Sequence, residues 1–382
     1  MHICYITNEF PKPGFSHGGV GTFIATIGKA LVLEGVQVSV VGMNYVDEEE
    51  TANINGIAVY RLTAKKLKGL QWFFNTRSIE NKVQEIHKST PIDIVETADM
   101  GLTFIGKLQG VKYVIRMHGG HHFFAESEQR QVEIWKGWQE KRSYKRADAF
   151  IAVSEYVKSH TEKFLTLKPR PITIINNPIN IELFQPIENL VIPYKLVFAG
   201  TVCEKKGIRQ LIQAMPLIWK IFPSATLDIY GRDWYYPDGR SYIEYLKVHE
   251  FAILGDRKQQ VVFKGAVDYD LLPSKYAEAN VCVFPSHMET LGLVAPEAMC
   301  MEKPVIFTAL GPGPEVITHL KTGLLVNPYS SEDIAEKIKW VFEYKDEAHA
   351  LGLAARQEVL DRFSIQIIAE QNLNFYQDLK NK

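Results

Sequence analysis

The chain has 382 residues, more than one hydrophobic core usually serves, so its length predicts two domains of ordinary size. Apolar residues make up 46% of the chain and charged residues 23%, which is typical of packed globular proteins and argues against disorder or a fibrous architecture. The net charge of −1 provides no basic field, and this argues against nucleic acid as a partner.

The cysteines and the apolar segments exclude further classes. Cys4, Cys203, Cys282 and Cys300 are scattered without a short CxxC spacing, so neither a zinc site nor a disulfide framework is predicted. The first residues, MHICYIT, show no basic leader or cleavage site, and no stretch approaches the ~18 apolar residues of a membrane span. We therefore expect a cytoplasmic protein.

Short apolar runs alternate with helical patterns along the whole chain, which is typical of βα units and mostly parallel sheets. In the first half, the predicted strands are 2–7, 36–43, 56–62, 93–96, 113–117, 149–153 and 172–175. In the second half, they are 195–199, 226–230, 261–264, 281–285, 304–308 and 323–326. Two similar sets of strands emerge.

Prolines separate the two sets of strands. Pro178, Pro186 and Pro193 interrupt the periodicity, so a linker is predicted near 184–194. The expected fold class is α/β, with two Rossmann-like doubly wound domains at residues 1–184 and 185–363. A helical pattern near 364–382 is a candidate to pack back on the first domain.

The first candidate site is HGGVG at 17–21, which follows a strand and opens a helical pattern. Gly18, Gly19 and Gly21 allow close backbone approach, and a helix N-terminus offers N–H groups to an anion. A phosphate contact and a purely steric turn both remain open. The dinucleotide fingerprint fails, because Ile24 occupies the third glycine position and no acidic residue ends the second strand; this argues against a nicotinamide oxidoreductase.

The second candidate is GTVCEKKG at 200–207, which repeats the strand, loop and helix arrangement. Lys205 and Lys206 lie at a helix start, where positive charge opposes the helix dipole, so an anion such as a diphosphate would relieve the conflict. Solvated surface lysines are the alternative interpretation.

The third candidate is PSHMETLGLVAPEAMCMEKPVI at 285–306. A buried strand ends in a loop with Glu289, and a short helix beginning near Pro296 carries Glu297 in its first turn. The turn Thr290–Leu293, which also includes Leu291 and Gly292, would present backbone N–H groups to a phosphate. Because ligands bind at the carboxyl edge of a parallel sheet, we favour a functional site over surface carboxylates.

The spacing of Glu289 and Glu297 resembles the E-x7-E motif of retaining glycosyltransferases with the GT-B fold, and the surrounding sequence resembles glycosyltransferase family 4. The resemblance covers nearly the whole chain. It implies two Rossmann-like domains that face a central cleft, with the acceptor on the first and a nucleotide-sugar donor on the second. The motifs that carry it, besides the strand that ends in His118, are HGGVG, AVSEYV (152–157), NNPINIELF (176–184), GTVCEKKG, PSHMETLGLVAPEAM and GPGPEVITHLKTGLLV (311–326).

The resemblance also implies a role for individual residues. Those implied to be catalytic are His118, beside the anomeric carbon, and Glu289, on the donor-sugar hydroxyls. Those implied to bind the donor are Gly18, Gly19 and Gly21 at the diphosphate or sugar, Lys206 at the diphosphate, the turn at 290–293, and Glu297 at the ribose.

One position departs from the family pattern. Thr201 occupies a place where the family commonly has arginine. Its hydroxyl can bond to phosphate but carries no charge, so Lys205, Arg209 and Arg232 are candidates to compensate.

The implied activity is retaining transfer of a hexose-type sugar from a UDP-, GDP- or ADP-sugar to a saccharide or lipid-linked acceptor, in polysaccharide or glycoconjugate biosynthesis. No metal or other cofactor is expected, since Asp268-Tyr269-Asp270 is interpreted as a helix cap. The alternatives are a sugar phosphorylase or nucleotide-sugar epimerase on the same fold, and a non-catalytic nucleotide-sugar-binding protein.

The segment 61–77, RLTAKKLKGLQWFFNTR, combines basic residues with Trp72, Phe73 and Phe74. One interpretation is peripheral contact at the inner face of a membrane or with a lipid-linked acceptor. The other, which we favour, is a basic loop followed by a helix whose aromatic side chains enter the core.

Overall fold

The computed structural model describes residues 1–15, 18–66, 68–128, 130–188 and 190–381. It divides the chain into two compact units. The first comprises Met1–Pro178 and Ile365–Lys382, and the second comprises Ile179–Ser364.

The first unit is built on one sheet. Its strands within the described residues are β1 (His2–Ile6), β2 (Gln37–Met43), β3 (Glu50–Ile54), β4 (Ile57–Leu62), β5 (Ile94–Ala98), β6 (Lys112–Met117), β7 (Ala149–Ala152) and β8 (Ile172–Ile174). Their order across the sheet is β3-β4-β2-β1-β5-β6-β7-β8, and neighbours are parallel except for β3 and β4. The order reverses between β1 and β5, because β2 to β4 lie on one side of β1 and β5 to β8 lie on the other.

The second unit has a parallel sheet. Its strands within the described residues are β9 (Lys195–Ala199), β10 (Thr226–Tyr230), β11 (Val261–Gly265), β12 (Val281–Phe284), β13 (Val305–Thr308) and β14 (Leu324–Val326). The order β11-β10-β9-β12-β13-β14 is the 3-2-1-4-5-6 order of a Rossmann sheet. Two α/β units, one with a mostly parallel sheet and one with a parallel sheet, confirm the predicted fold class.

Helices connect the strands in both units. In the first unit they are α1 (Gly19–Leu33), α2 (Gln71–Ser89), α3 (His121–Ser127), α4 (Ile134–Arg146) and α5 (Glu155–Glu162). In the second they are α6 (Ile208–Trp219), α7 (Tyr242–His249), α8 (Leu272–Glu278), α9 (Val294–Cys300), α10 (Gly313–Val316), α11 (Ser331–Glu343) and α12 (Lys345–Arg362). The last, α13 (Ile365–Lys380), belongs to the first unit. Across the described residues, every helix is too short or too polar to span a bilayer.

Strand β3 was missed by the sequence prediction. It pairs antiparallel with β4 through a tight turn at Asn55 and Gly56, whose φ angles are 52° and 84°. Asn-Gly is the usual sequence of such turns, because both central residues need positive φ. The segment 50–54 alternates between exposed and half-buried residues, so it has no apolar run that would mark it as a strand.

The chain passes between the units earlier than the predicted boundary at residue 184. Ile179 and Phe184 are both buried in the hydrophobic core of the second unit. The prolines near this point mark irregular backbone. The boundary depends instead on which hydrophobic core the apolar side chains between the prolines join, and here they join the core of the second unit. The chain therefore leaves the first unit after Pro178 and returns to it after Ser364.

A buried polar network fixes α13 in the first unit. The Arg116 guanidinium donates to the Glu96 carboxylate at 2.7 Å, and the Tyr376 hydroxyl donates to the same carboxylate at 2.6 Å. Asn372 accepts a further bond from Arg116, and Tyr5 shares a hydrogen bond with Tyr376. A buried ion pair needs such additional bonds to offset the loss of hydration, and here α13 supplies them.

Candidate active site

The two functional loops of the second unit meet where its strand order reverses. The loop after β9 ends at Gly207, which has φ 70°, and a Cβ there would lie 1.9 Å from the carbonyl oxygen of Pro285 in the loop after β12. A glycine is therefore required for the two loops to pack this closely. The backbone N–H of His287 also donates to the carbonyl of Lys205 at 2.9 Å. Open α/β sheets bind ligands at this position.

An ion pair joins these two loops. The Lys206 ammonium lies 2.5 Å from Oε1 of Glu289, and the Ser286 hydroxyl donates to the same oxygen at 2.8 Å. The side chains are 19% and 9% exposed, so the pair is largely shielded from water. The structure thus brings together the cation and the carboxylate that the sequence singled out, and each neutralises the charge of the other.

Glu297 occupies a different environment a short distance along the chain. It lies in the first turn of α9 and is buried, with hydrogen bonds from the hydroxyls of Tyr276, at 3.4 Å, and Tyr269. Burial is the largest cause of a rise in the pKa of Glu297 to about 8, which the two tyrosines only partly oppose. The carboxyl is therefore largely protonated at neutral pH. Tyr269, from the acidic motif at 268–270, is thus a neighbour of this carboxyl.

The turn at 290–293 connects the two glutamates. Leu291 is buried, and Gly292 has φ 82°. The helix begins with hydrogen bonds to the carbonyls of Gly292 and Leu293. Within the described part of the chain, the backbone N–H groups of Leu291, Gly292 and Leu293 have no acceptor, so this turn retains donors for an anion.

The candidates to compensate for Thr201 differ in their surroundings. Thr201 is half-buried two residues after the end of β9. Arg209 pairs with Glu204, whereas no described residue forms a salt bridge with the exposed Arg232 guanidinium. The Arg232 carbonyl accepts the N–H of Val202 at 2.9 Å, which holds its backbone beside the loop after β9. Arg232 is therefore better placed than Arg209 to supply a charge.

In the first unit, the glycine motif forms the N-terminus of α1. Gly18 precedes the helix without a side-chain cap, and the first turn carries no acidic residue. A Cβ on Gly21 would lie 1.8 Å from the carbonyl oxygen of Glu9, so this glycine has a steric role, while a Cβ on Gly19 would meet no atom within 4 Å. His17 of the motif lies outside the described residues.

His118 follows β6 and packs beside α1. Its backbone N–H donates to Asp99 at 3.2 Å, and its ring meets the Phe23 ring edge to face at 5.9 Å. Burial, followed by the charge of Arg116, lowers the pKa of His118 to about 3. The imidazole is therefore neutral at physiological pH and can act as a hydrogen-bonding group, but not as a cation.

The backbone of His118 contacts Asp99, which forms with Glu140 a pair of buried carboxyl groups that the sequence analysis missed. Asp99 accepts a hydrogen bond from the Tyr144 hydroxyl at 2.8 Å, and burial together with nearby Glu140 raises the pKa of Asp99 to about 6. Glu140 in turn accepts the backbone N–H of His122 at 2.9 Å and also bonds to its ring. Asp99 directly follows β5, so the signal that identified Glu289, a carboxylate after a buried strand, could have found it.

The described residues contain no group of three or more His, Cys, Asp or Glu side chains that could hold a metal ion.

The aromatic side chains of 72–74 do not enter the core, which corrects the favoured interpretation. Trp72, Phe73 and Phe74 are 40%, 50% and 36% exposed. Trp72 contacts Phe104, at 4.3 Å between ring centroids, and is 6.1 Å from Trp135. The core of this unit is already filled from the strands and α1, and only the later positions of α2 are buried. Leu67 of the segment lies outside the described residues.

Two Rossmann-like units, each with polar side chains at the carboxyl edge of its sheet, are the arrangement expected of a two-domain α/β enzyme. Comparison with known proteins agrees. Residues 17–183 match the family model for Glycosyltransferase Family 4, and residues 182–358 match the model for Glycosyl transferases group 1. An uncharacterized glycosyltransferase of Methanocaldococcus jannaschii is 28% identical over 98% of each chain.

Solved structures share the fold. Sucrose-phosphate synthase from Thermosynechococcus elongatus has a TM-score of 0.83 at 23% identity, over 99% of this chain and 98% of that chain. HepE of Anabaena, solved in complex with UDP, has a TM-score of 0.78 at 18% identity, over 99% of this chain and 100% of that chain. The family-model matches and the relative of similar length, rather than these structures, show that the chain is an enzyme that transfers sugars, a glycosyltransferase similar to family 4.

Proposed function

We propose that the chain transfers a hexose-type sugar from a nucleotide-diphosphate donor to a saccharide or lipid-linked hydroxyl, with retention of the anomeric configuration. The observation that carries the proposal is the Lys206–Glu289 pair at the point where the second sheet reverses its strand order. The UDP in the HepE structure supports a nucleotide donor.

In this proposal the ion pair separates when the donor binds. The Lys206 ammonium turns to the diphosphate, which gains negative charge as the bond to the anomeric carbon breaks, and Glu289 turns to the donor-sugar hydroxyls. Fixed positive groups at a departing diphosphate lower the barrier without a metal ion. The turn at 290–293, Thr201 and Arg232 add donors to the same leaving group, and Glu297 binds the ribose.

The first unit completes the chemistry in the proposal. Gly18, Gly19 and Gly21 contact the diphosphate or the sugar through backbone N–H groups, and the neutral His118 bonds to the sugar beside the anomeric carbon. The acceptor oxygen forms the new bond to that carbon on the face that the diphosphate leaves. Its proton passes to a departing phosphate oxygen, so no protein nucleophile is needed.

Two alternatives on this fold predict different products. A sugar phosphorylase would depend on inorganic phosphate, and a nucleotide-sugar epimerase would turn over the donor without an acceptor. The non-catalytic alternative does not agree with the glycosyltransferase domains.

Peripheral membrane contact through 61–77 stays a prediction, which the exposed Phe73 and Phe74 support. Failure of the wild type to sediment with anionic vesicles would contradict it.

A thermal-shift screen of the wild type against UDP, GDP, ADP and CMP tests the donor class. One nucleoside diphosphate is expected to stabilise the protein by about 2.7 kcal/mol at 100 times its dissociation constant. Lys206→Met should lose most of this response. Lys220→Met is the matched control, because Lys220 lies at the far end of α6 from the functional loops. Absence of a response to every nucleotide at millimolar concentration would refute the proposal.

Substitution of single glycines tests the contribution of the first unit. Gly19→Ala places a methyl group in open space and favours the helix, so the melting temperature should be unchanged or slightly higher. If phosphate lies against this backbone, the same methyl group should weaken donor binding about tenfold, or about 1.4 kcal/mol. Gly21→Ala should instead destabilise the fold. Unchanged donor affinity in Gly19→Ala would remove this residue from the site.

A further inference from the structure

A cavity of about 630 Å³ opens in the first unit at the carboxyl ends of β1, β2 and β5. The first two turns of α2 and Gln139 of α4 close it from the side. Among the described residues, no Asp, Glu, Lys, Arg or His lines the cavity. Amide, hydroxyl, aromatic and aliphatic side chains form its walls instead.

Two of the amides have fixed orientations. Oδ1 of Asn8 accepts the backbone N–H of Met43 at 2.8 Å, and Oδ1 of Asn75 accepts that of Lys65 at 2.7 Å. Because each oxygen is held by the backbone, each NH2 group remains as an oriented donor, and no described residue accepts from it. The Thr76 hydroxyl also lines the cavity and has no partner among the described residues.

The cavity also has an aromatic wall, which is apolar, unlike the amide and hydroxyl groups. Trp72 and Phe104 both line the cavity, with their ring centroids 4.3 Å apart. Trp72 is 40% exposed although it is large and apolar. Exposed aromatic rings beside a few fixed polar groups are typical of binding sites for small molecules.

We propose that this cavity binds the acceptor, and that the acceptor is an uncharged saccharide. Sugar hydroxyls match the amide and threonine groups, and the C–H face of a sugar ring packs on Trp72 and Phe104. A phosphorylated acceptor would require a cationic side chain. The described lining has none, and its one electropositive feature is the N-terminus of α2 at Gln71. The inference rests on the proposed function, since it assigns the second substrate.

The position of the cavity agrees with this role. Thr7 lines the cavity, and two residues later Glu9 packs against Gly18 and Gly21 of the glycine motif. The end of β1 therefore joins the proposed acceptor cavity to the proposed donor contact. A ligand in the cavity lies at the same sheet edge as His118.

Saturation-transfer NMR with the full-length protein tests binding. The probes are glucose, mannose, galactose, N-acetylglucosamine and maltose, each beside glucose 6-phosphate. At least one neutral saccharide should bind to the wild type, and Trp72→Ala should raise its dissociation constant about tenfold. Thr76→Val, which replaces the hydroxyl by a methyl group, should raise it about three- to tenfold. Trp72→Phe should restore most of the affinity, and Phe73→Ala is the matched control because Phe73 is exposed but outside the lining.

Transfer assays and vesicle binding complete the test. With a functional donor, Trp72→Ala should raise KM for the saccharide, whereas Phe73→Ala should change neither this KM nor donor hydrolysis by water. Preference for glucose 6-phosphate over every neutral saccharide would overturn the inference, as would vesicle binding that depends on Trp72 without any saccharide binding. If no donor binds, the proposed function fails, yet the NMR comparison of Trp72→Ala with Phe73→Ala still decides whether the cavity binds saccharides.

Discussion

Replacement of Lys206 by Met is expected to lower kcat about 100- to 1000-fold, as does removal of a group that stabilises developing charge in other enzymes. Glu289→Gln should have a similar effect, because the carboxylate both holds Lys206 and is proposed to bind the sugar. The two side chains are 2.5 Å apart, so the double variant should lose much less than the product of the two single losses. Initial rates with saturating donor and acceptor measure all three.

A surface ion pair of the same unit provides the control. Lys247 and Glu244 are 2.8 Å apart but 46% and 65% exposed, and exposed pairs contribute little. Lys247→Met and Glu244→Gln should therefore transfer at rates close to the wild type. Near-normal kcat in both Lys206→Met and Glu289→Gln would exclude the pair from the active site.

Binding of the donor is expected to release a proton from Glu297. The pKa of this carboxyl is raised to about 8, and ribose hydroxyls that donate hydrogen bonds to it would favour the ionised form. The association constant should therefore increase with pH, by up to about tenfold per unit, and level off above about pH 8. Calorimetry in buffers of different ionisation enthalpy measures the released proton.

Glu297→Gln should abolish the proton release and weaken donor binding. The folded-state pKa lies above the ordinary 4.5, so the contribution of Glu297 to the free energy of unfolding is full below about pH 4.5 and is lost as the pH rises to about 8. Relative to the wild type, the melting temperature of Glu297→Gln should thus increase between pH 5 and pH 8. Glu336→Gln, at a side chain that is 73% exposed, should change neither quantity. Proton release that persists in Glu297→Gln would assign it to another group.

The sequence could predict the βα order and the loops that carry Lys206, Glu289 and Glu297. These features follow from local signals, namely buried apolar runs, glycines at turns and polar residues at strand ends. Strand β3 has the Asn-Gly signal but lacks an apolar run, and the prediction relied on such runs. The direct contact between Lys206 and Glu289 could not be predicted, because it depends on how two distant loops pack around Gly207.

Other features depend on tertiary packing. The pattern of α2 does not reveal that Trp72 and Phe104 form a wall, since Phe104 lies on a separate loop. Burial is the largest cause of the raised pKa of Asp99, and the next is the charge of Glu140, which comes from a helix later in the chain. Burial and neighbouring charges determine such values, and neither can be derived from spacing alone.

The buried network around Arg116 and Glu96 has a consequence for how the protein forms in the cell. Both side chains leave the ribosome early, whereas Asn372 and Tyr376 follow only after the entire second unit has been synthesised. Co-translational folding usually completes N-terminal units first. Here the first unit can complete its buried network only after the second unit has been synthesised, because α13 follows that unit in the chain. A truncation that removes α13 should therefore disrupt the buried network of the first unit, although the deleted residues follow the second unit in the chain.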